Sequence, residues 1–293
     1  MYAITGITGK VGGALAQALL AAGQPVRAIV RDDAKGVAWA AKGCEVAIAD
    51  MADAAGLTSA FRGAEAVFIL PPSDFDPAPG YPEARKVIDA VATALAAARP
   101  GRVLCLSTIG ADAPHDNLLS QRTLMEAALR RLDLPVTFLR PGWFMENAAL
   151  DVAAARDEGV LRTFLQPADK TFPMVATRDV GRLAAQLIQH DWTGERIVEL
   201  EGPARVSPND LAQAFAEALG ARIRVEVIPR DTWDALFRSQ GMQHPIPRMR
   251  MIDGFNEGWI RFAEDAGRRV KGATSITDVV ARLVADAEAA ERA

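Results

Sequence analysis

Short apolar runs alternate with longer stretches in which apolar residues recur every three or four positions. Residues 2–4, 25–30, 45–48, 66–70, 102–106 and 135–139 read as buried strands. Between them, residues 11–20, 37–41, a run ending at Phe61, residues 83–98 and residues 118–132 read as helices. Strands alternating with helices for this long predict an α/β fold with a doubly wound parallel sheet. Beyond residue 150 the alternation is lost. Residues 172–175, 196–200 and 222–228 read as strands, and residues 177–189, 230–239, 249–262 and 277–291 as helices. Thr177 is the expected N-cap of the first of these, and Ser207 followed by Pro208 opens another. Residues 1–150 are therefore expected to form the sheet domain. Residues 151–293 are expected to form a smaller α+β lobe over its crevice, with chain crossings back to the sheet.

The first helix is entered through a turn that changes the picture. In YAITGITGKVGG, Gly6, Gly9 and Gly12 lie between the first strand and the first helix. One glycine permits the tight turn, one lets backbone N–H groups approach a pyrophosphate, and one lets helix and strand pack closely. The helix N-terminus then faces the phosphates with its partial positive charge. The second strand runs into Arg31, Asp32 and Asp33, where a dinucleotide fold meets the adenosine ribose. An acid there binds the 2′-hydroxyl of NAD; an arginine accommodates the 2′-phosphate of NADP. Arg31 comes first and favours NADP(H); the neighbouring acids keep NAD(H) as the lesser alternative.

Further candidates stand at the ends of later strands. Asp50 either accepts from an adenine amino group or, like Asp53, caps the helix that follows. A Pro/Asp/Gly-rich loop runs from Pro71 to Pro82 at the edge where open α/β sheets bind ligands, and its length marks it as a lid. Ser107 and Thr108 end the fifth strand, as substrate-carbonyl donors or as loop caps. His115 stands in the loop beyond as a further candidate; His190 and His244 read as solvated or as lid residues.

Composition narrows the function class. Half the residues are hydrophobic, enough for a sizeable core. The net charge is −4 with no basic block, which disfavours nucleic acid as a partner and leaves a small molecule. No run is long and apolar enough for a membrane span, and the chain opens on a core strand with no room for a signal peptide, so a cytoplasmic protein is expected. Cys44 and Cys105 lie in or beside strand-like runs and are expected to be buried free thiols. No Cys/His spacing marks a metal site.

TGITGKVGG, the VRD at Arg31, LRPGWFMEN from Leu139, ATRDVG from Ala176 and MIDGFNEGW from Met251 together resemble the NmrA-like branch of the atypical short-chain dehydrogenases/reductases. The resemblance covers nearly the whole chain. It implies a Rossmann domain with a small C-terminal lobe and binding of NADP(H). It further implies reduction of quinone, azo or related acceptors, or a regulator that senses the dinucleotide and signals through a protein partner. By position, it assigns Gly6, Thr8, Gly9, Lys10 and Val11 to the phosphate loop, with Gly12 closing it. Arg31 falls to the 2′-phosphate, Asp50 and Met51 to the adenine, Leu70 and Pro71 to the ribose and nicotinamide, and Ser107 beside them. Pro141, Trp143 and Phe144 would wall the nicotinamide, and Thr108, Trp143, Phe144 and Asn147 would line the substrate pocket.

One feature of related enzymes is missing. Typical short-chain enzymes place a Tyr-x-x-x-Lys pair on one helix face, where Lys lowers the phenol pKa and Tyr passes a proton to the substrate. The expected place holds Leu118 and Arg122. Arg122 stands for the Lys, to hold the nicotinamide ribose, or is a surface residue. Replacement donors are Thr108, His115 or, from the lid loop, Tyr81. Quinones and azo groups need no protein acid at all, since solvent protonates the product.

Overall fold

The structure, a computed structural model, describes residues 1–263 and 269–292. In chain order it opens with β1 (Tyr2–Ile4), α1 (Lys10–Ala21), β2 (Val26–Val30), α2 (Asp33–Ala40), β3 (Glu45–Ile48) and α3 (Ala54–Phe61). Then come β4 (Ala66–Ile69), α4 (Pro82–Ala98), β5 (Arg102–Leu106), α5 (Ser120–Leu129) and β6 (Val136–Pro141). The second half holds β7 (Trp143–Phe144), a 3-10 turn (Met145–Leu150), α6 (Val152–Glu158), β8 (Val160–Thr163), β9 (Met174–Val175), α7 (Thr177–Gln189) and β10 (Glu195–Glu201). It ends with α8 (Pro208–Leu219), β11 (Arg224–Val227), α9 (Trp233–Ser239), α10 (Ile246–Glu257), β12 (Arg269–Lys271) and α11 (Ile276–Arg292).

Eight of these strands form one sheet in the order β12-β10-β6-β5-β4-β1-β2-β3, with every neighbouring pair parallel. The order reverses at β1, which lies between β2 and β4, so the crevice opens at their carboxyl ends. β4 is buried at every position because helices cover both sheet faces. One face packs Val11, Leu15 and Leu19 of α1 with Val180 and Ala184 of α7; the other packs Leu57, Ile88, Val91 and Leu129 from α3, α4 and α5.

The crossings back to the sheet are β10, β12 and α7. Gly181 lets α7 lie directly on α1, since a Cβ there would come within 2.5 Å of the Ala14 Cβ. In the C-terminal lobe α9 and α10 pack round Phe172, Trp233, Phe237 and Phe255, α6, α8 and α11 pack round Phe215, and β8 and β11 form a separate parallel pair.

Several elements depart from their expected bounds for local reasons. α2 starts at Asp33 because the Asp32 side chain caps it, accepting from the Lys35 N–H at 2.9 Å. α5 starts at Ser120, leaving Leu118 outside the helix. α10 spans Ile246–Glu257 and stops at Gly258 with φ +90°. Thr177 is not the N-cap of α7: Ala176 holds that position, and the Glu146 carboxylate accepts from the Thr177 N–H at 2.9 Å and from its hydroxyl at 2.6 Å. The Ser207 cap stands, as a capping box with Asp210. α6, β8 and β12 had no counterpart in the hydropathy reading.

Candidate functional site

The parallel sheet lines up its strand ends along one edge. In spatial order they carry Asp50 after β3, Arg31 after β2, Gly6 after β1, Leu70 and Pro71 after β4, Ser107 and Thr108 after β5, and Trp143 and Phe144 after β6. Residues far apart in sequence thus form one continuous crevice edge.

The glycine turn has the shape its spacing predicts. Gly6 adopts φ +64° and lies on Leu70, whose Cβ would be 3.0 Å from any Cβ placed at Gly6. Gly12 fits only as glycine, because a Cβ there would come within 2.3 Å of the Gly6 carbonyl oxygen. Gly9 is the N-cap of α1; no side chain caps this helix and its first turn holds no acid. The first N–H groups of α1 and exposed Thr8 and Lys10 are therefore available to an anion, while buried Val11 anchors the helix to the core. Thr5 was not foreseen: its hydroxyl donates to the Phe68 carbonyl at 3.0 Å and accepts from the Leu70 N–H at 2.8 Å, locking the ends of β1 and β4 together.

At the adenosine end, Arg31 is exposed. Asp32 is engaged twice, as the α2 cap and as an ion pair with Lys35 at 3.5 Å. Among the described residues Arg31 has no hydrogen bond or ion pair, whereas Asp32 is engaged and Asp33 stands exposed in the first turn of α2. Asp50 accepts from the Ala52 N–H in a local turn, whereas Asp53 caps α3. A cavity of about 510 Å3 opens beside Asp50, Pro71 and Pro72, bounded by α4 and by Arg122. The turn that a Cβ would fill, the bare helix N-terminus and the free Arg31 fit a phosphorylated dinucleotide.

The loop after β4 is not a free lid. Arg122 donates to the Pro71 carbonyl at 3.0 Å, the Pro72 carbonyl at 3.2 Å and the Ser73 hydroxyl at 2.7 Å. Gln121 donates to the Asp74 carbonyl, and Asp76 accepts from the Gln243 and His244 N–H groups. Burial alone would raise the Asp76 carboxyl pKa, but those two N–H groups bring it below its ordinary value. Tyr81, buried with φ +58°, shares its phenol proton between Asp116 Oδ1 at 2.8 Å and the Asn117 carbonyl at 2.9 Å. Burial and then Asp116 push that phenol pKa up, the reverse of what an acid catalyst needs. Tyr81 is a pin between two loops and does not swing into the crevice.

At the far end, Ser107 is buried and its hydroxyl donates to Glu126, so it is not offered to the crevice. Thr108 is half-buried, with no hydrogen bond to its hydroxyl among the described residues. Pro141 is buried at the end of β6 and its carbonyl accepts from the Ile109 N–H. Trp143 sets its edge against Phe255 of α10 at 5.2 Å, Phe144 packs toward the α1 core, and Asn147 is exposed on the 3-10 turn. Met51 packs against the α3–α4 core. His115 is exposed and stands edge-on to Trp259 at 5.1 Å, away from any acid or base partner among the described residues. His190 is exposed at the end of α7, remote from the carboxyl edge, and His244 lies on the clamp to Asp76. Cys44 and Cys105 are buried free thiols, and burial pushes the Cys105 pKa up to about 12.

The later motifs prove to be packing devices. Asp179 accepts from the Ala273 and Thr274 N–H groups and the Thr274 hydroxyl, tying α7 to the turn before α11. Gly254 lies under Trp259 and Ile260, and Asn256 bonds to Gln166 and Phe164. No helix among the described residues is long and apolar enough to cross a membrane.

Comparison with known proteins agrees with this geometry. Quinone oxidoreductase 2 of Escherichia coli strain K12 is 30% identical over 252 residues, 85% of each chain. An NAD(P)H azoreductase of Xenophilus azovorans is 25% identical over 259 residues, covering 88% of this chain and 85% of its own. The crystal structure of an NADPH-dependent quinone oxidoreductase from Escherichia coli complexed with NADPH superposes with a TM-score of 0.80 at 26% identity, covering 97% of this chain and 99% of the other. The NmrA-like family profile matches residues 2–257, and the chain belongs to the NmrA-like family.

Proposed function

We propose that this protein is an NADPH-dependent reductase of small conjugated acceptors of the quinone, enone, imine or azo class. The observation that carries this reading is the layout of one sheet edge. A phosphate cradle and a free Arg31 stand at one end, and a free Thr108 hydroxyl beside Trp143 and Phe144 stands at the other. The names of the similar proteins, a quinone oxidoreductase and an azoreductase, support it, as does the NADPH in the superposed structure. They give no support to a purely regulatory dinucleotide sensor.

NADPH, when bound, supplies the hydride. Gly6, Gly9 and the first turn of α1 hold its pyrophosphate, Arg31 its 2′-phosphate, and Leu70 and Pro71 the floor beneath its ribose and nicotinamide. Asp50 and Met51 flank the adenine. Arg122 holds the loop after β4 by its carbonyls, and so sets the nicotinamide ribose wall rather than donating a proton. Trp143 and Phe144 exclude water from the acceptor. Thr108 donates a hydrogen bond to the acceptor's oxygen or nitrogen, and water protonates the product. This division fits a site without the Tyr-x-x-x-Lys pair.

The test is to follow NADPH absorbance with a panel of quinones, enones, imines and azo dyes. Oxidation by at least one class is expected. Tight NADPH binding with no oxidation across the panel would sink the reading.

A further inference from the structure

Arg140, at the end of β6, has a guanidinium that joins three elements, and the reading above gives it no task. It is 4% exposed. Its Nε and Nη2 donate to Glu126 of α5 at 2.9 and 2.7 Å, and its Nη1 donates to Asp112 at 2.7 Å. Glu126 is fully buried and also accepts from the Ser107 hydroxyl and, at 2.9 Å, from Arg130. Glu199, the register partner of Arg140 on β10, is buried and adds a further carboxylate nearby. Burial alone would lower the Arg140 pKa, but Glu126 and Asp112 raise it, so the charge is permanent.

The two carboxylates that Arg140 binds bracket the loop after β5. Glu126 holds Ser107 at its start, and Asp112 lies near its end. Between them stands Thr108. Few other ties hold this stretch: the Ile109 N–H donates to Pro141, the Ala111 carbonyl accepts from the Thr123 hydroxyl at 2.7 Å, and Gly110, with φ +74°, receives Ile260. A guanidinium presents its donors in a rigid planar fork, which a lysine could not reproduce across two carboxylates.

We propose that Arg140 is a positioning residue for the reduction: gripping Glu126 and Asp112, it fixes residues 107–113 so that the Thr108 hydroxyl stays at the acceptor end of the crevice. The inference rests on the reductase reading above. A displacement of the donor by about 1 Å lowers turnover up to about a hundredfold without touching the distant phosphate cradle.

Replacing Arg140 itself would leave buried Glu126 with Arg130 alone as counter-charge and confuse positioning with folding. Asp112 is the better handle, because its side chain is 59% exposed. Asp112→Asn is expected to lower kcat for the best acceptor about tenfold, with the NADPH Kd unchanged within about twofold. Asp112→Glu, which keeps the charge, is expected to restore most of that loss. Amide exchange read by NMR should speed up at Ile109, Ala111 and Ala113 and stay slow at Ser107, whose N–H donates to Leu139 inside the sheet. An unchanged kcat, a parallel loss of NADPH affinity, or unchanged exchange at residues 109–113 would overturn the proposal. If the wild type oxidises NADPH with none of the acceptors in the panel, the reductase reading has failed, while the exchange measurement still judges the Arg140 grip by itself.

Discussion

Replacing Arg31 with alanine removes an exposed guanidinium that has no hydrogen bond or ion pair among the described residues. Nothing in the folded protein is left unpaired, so stability should change by less than about 0.5 kcal/mol. The whole effect should appear in binding. A charge-assisted hydrogen bond to a phosphate contributes about 1.5–3 kcal/mol, and at this open strand end salt screens part of it. A net loss of about 2 kcal/mol corresponds to roughly a thirtyfold weaker NADPH complex. NADH has no 2′-phosphate, so its affinity should stay the same within about twofold. Asp32 does not complicate the comparison, because it is held by the Lys35 N–H and Lys35 Nζ. Calorimetric titration of both nucleotides at low and high salt reads all of this. The NADPH loss should shrink as ionic strength rises. Equal weakening of NADPH and NADH, or no weakening of NADPH, would refute the assignment of Arg31 to the 2′-phosphate.

Gly12→Ala would drive a methyl to within 2.3 Å of the Gly6 carbonyl oxygen, a backbone atom with little freedom to retreat. It should cost about 1–3 kcal/mol of stability and weaken NADPH strongly, whereas Gly13→Ala, 3.3 Å from its nearest neighbour, should be mild in a paired thermal melt and titration. Tyr81→Phe should leave kcat near the wild-type value but lower stability to urea by about 1–3 kcal/mol, because its hydroxyl pins Asp116 and Asn117; a collapse of kcat with the fold intact would restore it as a proton donor. Asp151 carries a carboxyl whose pKa burial raises from 3.8 to about 7. The folded state holds that proton more tightly than the unfolded chain, so stability is lost as pH rises from about 4 through 7, by at most about 4 kcal/mol. Asp151→Asn should therefore raise Tm by several degrees at pH about 8 and change it little at pH about 4; the same shift at both would refute the cause.

Much of the site was legible because its signals are local. The turn at Gly6 to Gly12 reads from spacing alone, since each glycine answers to a backbone constraint within a few residues. The Arg31 argument needed only its place after a strand, although the sequence did not show that Asp32 is taken up as the cap of α2. The β4 loop was misjudged for the opposite reason. Its Pro, Asp and Gly content marks a loop, but its anchoring comes from Arg122, Asp76 and Tyr81, whose partners lie 35 to 168 residues away in sequence. Ser107 looked available because nothing nearby in sequence shows that Glu126 accepts its proton. The missing strands and helix, α6, β8 and β12, are short and draw their stability from tertiary partners such as β11 and β10.

The sequence by itself determined the alternation of strands and helices, the glycine turn after β1 and the absence of a Tyr-x-x-x-Lys pair. These depend on hydrophobic period, on backbone freedom at glycine and on residue identity, all written within one or two turns of chain. Only the tertiary structure decided which polar groups remain free. Among the described residues the Thr108 hydroxyl and Arg31 stay unengaged, whereas Ser107, Arg122 and Tyr81 are committed elsewhere. A hydroxyl or guanidinium has the same chemistry wherever it stands in the chain. Whether it can serve a ligand depends on whether a buried carboxylate or carbonyl has already claimed it, and that is settled by packing across the sheet.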